Sequence, residues 1–240
     1  MNITNKTVFI TGTNRGLGKA LVNQALLSGA KRVYAAARNF EGPFPWDGSR
    51  VIPIRLDLSD PESVQSALRA AEDTDLLINN AGTYMTGKLI ELSEADLRKV
   101  LDTNFFGTLR VIRAFASVLA RKPESAIVNV MSVAAFAGIG GLGAYCASKA
   151  ALLSATETLR VELKKQGTAV HSVFPGPIDT DMAKDVAAAK AKPELVAHNI
   201  FEGVSAGLED IFPDEMSKAF GAQWFKDPKA MEKSLGALQL

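Results

Sequence analysis

The chain has 240 residues, 47% of them hydrophobic, which suits one or at most two domains with a substantial core and excludes disorder as the default. Its 27 basic and 26 acidic side chains leave a formal charge of +1, so gross electrostatics favours neither nucleic acid nor an anionic membrane. A single cysteine, Cys146, excludes a disulfide within the chain, and residues 1–6 show no charged-then-apolar leader; a reducing, cytoplasmic setting is expected.

In chain order, Val8-Phe9-Ile10 reads as a buried strand, followed by a glycine-rich turn and an amphipathic stretch through Leu21, Ala25 and Leu26. Val33-Tyr34-Ala35 and Val51-Ile52-Pro53-Ile54 read as the next two strands. Between them Gly42, Pro43, Pro45 and Gly48 leave no room for an ordinary helix, so that crossover is expected to be a loop. Asp60 as N-cap, Pro61 at the first helical position, and Val64, Ala67, Leu68 and Ala71 at helical spacing predict a helix. After a strand at Leu76-Leu77-Ile78, one long helix is expected. It begins near Ser93, with Asp96 as its capping partner, and runs through Leu97, Leu101, Ile112 and Leu119 until Pro123 stops it.

Residues 125–148 carry no charge and are long enough to span a bilayer, but Gly138, Gly140, Gly141 and Gly143 break their middle. A strand at Ile127-Val128, a glycine loop and then a helix is the better reading. Residues 170–174 give a sixth strand, and Asp210-Ile211-Phe212-Pro213 is a candidate for a short seventh. With no repeat or linker to cut it, residues 1–240 are expected to form one α/β domain. Its core would be a doubly wound parallel sheet of six or seven strands with helices on both faces.

Thr11-Gly12-Thr13-Asn14-Arg15-Gly16-Leu17-Gly18 joins the first strand to the first helix. Glycines there let backbone approach a pyrophosphate, which the helix N-terminus meets with unpaired N–H groups; the alternative is a tight turn with no ligand. The second strand ends Ala35-Ala36-Ala37-Arg38, without the acid that usually accepts from the ribose 2′-hydroxyl of NAD. Arg38 and Arg15 are instead candidates for a 2′-phosphate, or else solvated loop charges. Asp57-Leu58 at the end of the third strand is placed for an adenine amino group or for a turn into the next helix. Asn79-Asn80-Ala81-Gly82 is a further ligand segment or an asparagine-rich turn.

Tyr145 and Lys149, four apart at the start of a helix, share one face. A phenol with an ordinary pKa of ~10 needs a nearby positive charge before it exchanges protons near neutrality, and Lys149 with an oxidised nicotinamide ring would supply it. Ser132, closing the fifth strand, is a candidate for holding a substrate oxygen, and Asn104 for anchoring a water that leads away from Lys149. A surface Tyr–Lys pair, a strand-end serine and a helix asparagine are the ordinary alternatives.

Taken together these motifs resemble the compact, single-domain branch of the short-chain dehydrogenase/reductase family, from about Thr7 to Thr180. The matching elements are T-G-x-x-x-G-x-G at residues 11–18, Asp57, the N-N-A-G at 79–82, Asn104, Ser132, Y-x-x-x-K, and Pro175-Gly176-Pro177-Ile178-Asp179-Thr180. The resemblance implies a Rossmann-type fold and reversible hydride transfer between a nicotinamide and a carbonyl or alcohol. It makes Tyr145 the acid/base, with Lys149 lowering its pKa and binding the nicotinamide ribose. Ser132 would position the carbonyl and Asn104 complete the proton relay. The cofactor would be NADP(H), held by Gly12, Thr13, Asn14, Arg15, Gly16, Leu17, Gly18, Ala37, Arg38, Asp57, Leu58, Asn80, Ala81, Gly82, Tyr145, Lys149, Pro175, Gly176, Ile178 and Thr180.

Within that frame, a lid or substrate segment is expected at about residues 181–208, although a solvated helix face is the simpler reading of its Lys184, Lys190 and Lys192. The neighbourhoods of Met85, Phe136 and Leu142 suggest an apolar aldehyde or ketone. The alternatives are a 3-oxoacyl thioester reductase and a non-catalytic NADPH-sensing protein. Cys146 is expected to be a small buried hydrophobe rather than a redox switch. His171 and His198 lack metal-ligand spacing, so no metal is expected. A homodimer or homotetramer acting on a small molecule, without nucleic acid or membrane, completes the expectation.

Overall fold

The computed structural model describes residues 1–40, 44–46 and 48–237. Its centre is a sheet of seven parallel strands: β1 (Thr7–Thr11), β2 (Arg32–Ala37), β3 (Val51–Arg55), β4 (Leu76–Asn79), β5 (Ser125–Val130), β6 (Thr168–Val173) and β7 (Asp210–Ile211). The spatial order is β3-β2-β1-β4-β5-β6-β7, so the chain winds outward from β1 one way, then returns to β4 and winds the other way. The candidate short seventh strand is present as one edge. Pro53 lies in the opposite edge strand, where a missing N–H costs nothing in the ladder.

The inner strands are apolar on both faces because both are covered. On one face Val8, Ile10, Val33, Ile78 and Val128 lie under α1 (Gly16–Leu27) and α6 (Pro193–Ser205). On the other, Phe9, Tyr34, Leu77 and Ile127 lie under α2 (Pro61–Ala70) and α4 (Thr108–Ala120), with Leu163 from the end of α5 (Gly143–Leu163). The described residues of the β2–β3 crossover form no helix, as expected, although Glu41–Pro43 and Asp47 lie outside the description. Phe44 and Trp46 cover the sheet there by packing on the α1 layer, and Trp46 Nε1 donates to Asn23 Oδ1 at 2.7 Å. The Asp60 carboxylate accepts from Glu62 N–H to start α2, and Ser93 Oγ accepts from Asp96 N–H to start α3 (Glu94–Leu101).

Two expectations need correction. The long helix from Ser93 is not uniformly α: between α3 and α4 residues Asp102–Gly107 form a π-helical turn. Leu58 and Asn104 explain it. A Cβ on Gly107 would stand 2.8 Å from Leu58 Cβ, so the helix backbone is pressed against the β3–α2 connection, and the buried Asn104 is tethered sideways by its side chain. Nor do Lys184, Lys190 and Lys192 lie on a solvated helix face. Only a short 3₁₀ turn, Asp181–Ala183, precedes an irregular stretch to Lys192, whereas α6 buries Val196, Ala197, Ile200 and Phe201 in the core.

At the N-terminal end of the strands, Asp73 accepts from Arg32 (2.7 Å), Tyr34 (2.8 Å) and Thr7 (3.3 Å), fastening the β4 approach to β1 and β2. After β7 the chain closes with α7 (Glu215–Lys226) and α8 (Pro228–Gly236). Among the described residues no helix is long and apolar enough to cross a membrane.

His171 in β6 is buried, with Nδ1 bound to the Leu208 carbonyl at 2.5 Å and Nε2 unpartnered. Burial pushes its pKa below the ordinary 6.5, so the fold prefers the neutral ring. The stability this provides is complete above the ordinary value and is lost as pH falls through the lowered one. The urea midpoint is therefore expected to fall progressively below pH 6.5, and His171→Leu is expected to flatten that acid limb in a urea titration at several pH values.

Candidate active site

The strand ends at the β1/β4 switch point carry the first half of the site, where ligands bind in open parallel sheets. Thr11 Oγ1 accepts from the N–H groups of Asn80 and Ala81, both at 3.0 Å. In return Asn80 Nδ2 donates to the carbonyls of Thr11 (2.9 Å) and Gly12 (3.1 Å), stitching the glycine-rich turn to the segment after β4. Gly12 has φ +72, and a Cβ there would stand 2.8 Å from Ala81 Cα. At Gly18 a Cβ would stand 1.9 Å from Gly12 O, so α1 begins backbone against backbone. Its N-cap, Arg15, is extended and makes no side-chain cap hydrogen bond, so the first-turn N–H groups are not capped by that side chain. This cradle, which side chains would fill, fits the pyrophosphate of a dinucleotide.

The other sequence-predicted binding residues fall around it. Thr13 is buried, donating its N–H (3.1 Å) and hydroxyl (3.3 Å) to Ala36 O, while Asn14 is exposed. Ala37 ends β2 buried, and Arg38 follows it exposed. Arg15 pairs with Asp181 at 3.2 Å, both side chains mostly exposed. Asp57 Oδ1 accepts from Ser59 N–H (2.9 Å) and Oγ (2.7 Å), and these bonds hold its carboxyl below the usual range, with help from Arg38. The Leu17 and Leu58 side chains are core, so those residues can offer a ligand only backbone.

The second half gathers beyond β5. Lys149 on α5 is 4% exposed; its Nζ donates to Val130 O at 2.9 Å and lies 5.6 Å from the Tyr145 ring centre. Burial lowers its pKa to about 8. Burial likewise pushes the Tyr145 phenol up to about 12, against the pull of a hydrogen bond from Ser132. At neutral pH Tyr145 therefore carries its proton. Ser132 starts a 3₁₀ turn, its Oγ accepting from Ala134 N–H (3.2 Å) and donating to Pro175 O (3.4 Å). Asn104 in the π turn accepts from Thr83 N–H and donates to Thr83 O, both at 2.8 Å, and donates to Ser148 Oγ at 2.9 Å. A Cβ on Gly82 would stand 3.3 Å from Asn104 Oδ1 and 3.6 Å from Lys149 Nζ, so the segment after β4 adjoins both halves.

Sequence reasoning missed Thr83 and Ser148, and also a buried polar chain that fixes α5. Asn79 Nδ2 donates to Asn129 Oδ1 (2.8 Å), Asn129 Nδ2 to Thr156 Oγ1 (3.0 Å), and Thr156 Oγ1 to Leu152 O (2.7 Å). The signal was present: two asparagines inside otherwise apolar strands must find partners. Met85 and Leu142 fall in neighbouring segments, joined by the Gly87–Leu142 bridge. Phe136 instead packs at a tilt against Phe174 (4.5 Å) and stacks on Trp224 (5.0 Å). Pro175, Gly176 and Ile178 lie on the loop after β6, whose return to Ala191 closes the stretch containing Thr180. Cys146 is buried, and burial raises its thiol pKa, as a small core residue requires. No cluster of His, Cys, Asp or Glu that could hold a metal occurs among the described residues.

The family model for short chain dehydrogenases matches residues 6–191. The chain belongs to that family. It is 31% identical over 190 residues to the 3-oxoacyl-(acyl-carrier-protein) reductase of Vibrio cholerae, covering 77% of this chain and 78% of that one. It is 36% identical over 184 residues to a 3-amino-tetrahydro-pyrrolizinone reductase of Xenorhabdus hominickii, covering 74% of this chain and 63% of that one. Among solved structures, a Burkholderia cenocepacia short chain dehydrogenase in complex with NADP superposes with a TM-score of 0.90 at 33% identity, over 98% of this chain and 99% of that one. This oxidoreductase thus shares the nearly full-length architecture of that relative, including the helices after β7.

Lowering the lysine pKa from 10.5 to about 8 means that burying the ammonium costs about 3 kcal/mol near neutrality. That cost is relieved as pH rises from the lowered towards the ordinary value. Lys149→Met is therefore expected to raise Tm at pH 7 by a few degrees while abolishing turnover, read by thermal melts and a reductase assay.

Proposed function

We propose that the protein is an NADP(H)-dependent reductase of apolar aldehydes or ketones. One observation carries this reading: Tyr145, Ser132, Lys149 and Asn104 converge at the strand ends with the phenol protonated at neutral pH, the state a general acid needs to deliver its proton to a carbonyl oxygen. When bound, the dihydronicotinamide supplies hydride to the carbonyl carbon. Ser132 holds the oxygen by its hydroxyl, and Tyr145 protonates it as charge develops, so an alkoxide never accumulates. Lys149, fixed by Val130 O, would hold the nicotinamide ribose and keep positive charge beside Tyr145. Asn104, held by Thr83, anchors the route by which the phenol is reprotonated. The glycine turn would hold the pyrophosphate, Asp57 and Leu58 the adenine, and Ile178 and Thr180 the nicotinamide carboxamide.

The preference for NADP(H) over NAD(H) rests on Arg38 after the acid-free end of β2 and on Arg15. Exposed ion pairs such as Arg15–Asp181 contribute little, so a doubly charged 2′-phosphate competes for Arg15 readily. Arg38→Ala is expected to weaken NADPH binding about tenfold and leave NADH binding nearly unchanged, as measured by fluorescence titration. Equal affinities for the two cofactors in the native protein would remove the basis for the preference.

Similarity to the Vibrio cholerae protein favours a second reading, a 3-oxoacyl thioester as substrate. A panel of aldehydes, ketones, diketones and 3-oxoacyl thioesters, assayed by NADPH oxidation with Tyr145→Phe as control, separates the two. Turnover of simple carbonyls, lost in Tyr145→Phe, is the expected result. Turnover of thioesters alone would favour the second reading, whereas NADPH binding without turnover of any carbonyl would point to an NADPH sensor. The exposed Phe106 and Val161 support self-association as a homodimer or homotetramer.

A further inference from the structure

We propose that Asp214, outside the motifs of the family, is a positioning residue that sets the Ser132 hydroxyl through a single peptide unit. The inference rests on the role given to Ser132 above. Asp214 lies at the start of α7, 5% exposed. Its Oδ1 accepts from Ser217 N–H at 2.8 Å, and Ser217 Oγ accepts from Asp214 N–H at 3.1 Å, which together make a reciprocal helix cap. The cap needs only one side-chain oxygen. The other, Oδ2, accepts from Gly176 N–H at 2.9 Å, across 38 residues of sequence.

Gly176 N–H and Pro175 C=O belong to the same planar peptide. The carbonyl end of that peptide accepts from Val133 N–H at 3.1 Å and from Ser132 Oγ at 3.4 Å. One rigid unit is therefore gripped by a buried carboxylate at its N–H end and carries the candidate substrate-binding serine at its C=O end. A carboxylate on the N–H side fixes the orientation of the peptide and so the resting place of Ser132 Oγ, whose single hydrogen turns from its long bond to Pro175 O towards a substrate oxygen when one is present. The seat is also sterically tight: a Cβ on Gly176 would stand 3.0 Å from Asp214 Oδ1 and 3.4 Å from Met216 Cβ. Pro213 just before it is held by Asn199 Nδ2 at 2.7 Å, which ties the grip to α6. The helices after β7 thus reach the reacting centre by way of Asp214. A serine at 214 would cap α7 equally well but could not also reach Gly176, which explains why a buried carboxylate stands there.

The test compares Asp214→Ser, which keeps a cap but loses the grip, with Ser217→Ala, which weakens the cap but keeps the grip. Backbone amide exchange by NMR and steady-state NADPH-dependent reduction are measured for each, alone and in a Ser132→Ala background. In Asp214→Ser the Gly176 and Val133 amides are expected to exchange faster together. Its kcat should fall about tenfold with the NADPH KM nearly unchanged, and no further loss should appear in the Ser132→Ala background. Ser217→Ala should lower Tm while sparing kcat and both amides. Unchanged exchange at Gly176, an equal kcat loss with and without Ser132, or the same kcat loss in Ser217→Ala would overturn the proposal. If the native protein reduces no carbonyl, the reading of the function fails instead, and the two amides alone decide whether the grip exists.

Discussion

A lysine ammonium removed from water and left facing one backbone carbonyl is the constraint around which the site is organised. Lys149 Nζ meets Val130 O at the end of β5, the strand that β4 and β6 hold from both sides. That carbonyl cannot move without the sheet, so the lysine is placed by the fold rather than by its own flexible stem. Tyr145, one helical turn earlier, is then placed by the lysine's position on α5. A buried charge with so few partners disfavours folding, and the arrangement persists because the surrounding packing over-determines it.

The rest of the machinery keeps α5 aligned with those strand ends. The chain from Asn79 through Asn129 to Thr156 crosses from β4 over β5 into α5, and every named donor in it finds an acceptor. On the far side, Asn104 ties the π turn to both Thr83 and Ser148, and Ser148 Oγ donates back to Tyr145 O at 2.7 Å. Two polar braces thus converge on one helix, from below and from the side. Apolar contacts alone would allow α5 to slide or rotate, because they are non-directional, whereas these bonds fix its register.

Much of this was legible in the sequence. Six short apolar runs, the Asp60-Pro61 helix start and the order of the glycine, asparagine, serine and Tyr–Lys motifs each led to an element now in place. The features that escaped were those that depend on meeting a distant segment. Gly107 looked like an ordinary residue in a helical pattern, and only its contact with Leu58 gives it a purpose. The division of residues 181–208 into an irregular stretch and a core helix follows from α6 packing on α1, a pairing that no local periodicity encodes. Asp214 went unnoticed, since nothing nearby in sequence announces Gly176. The Y-x-x-x-K spacing likewise reveals the neighbour but not the depth at which both groups sit.

The π turn at Asp102–Gly107 has a further consequence. An i→i+5 turn winds one more residue into the coil than an α turn would, so α3 and α4 are out of phase by roughly the 100° that one residue contributes to an α-helix. The insertion is therefore a deliberate fault in a screw thread. Losing a single residue here would heal the thread and carry Asn104 round to another side of the rod, even though every remaining side chain stayed chemically the same. In this stretch residue count decides where Asn104 points as much as residue identity does, and alignments that treat a one-residue gap as harmless would pass over the change that matters most.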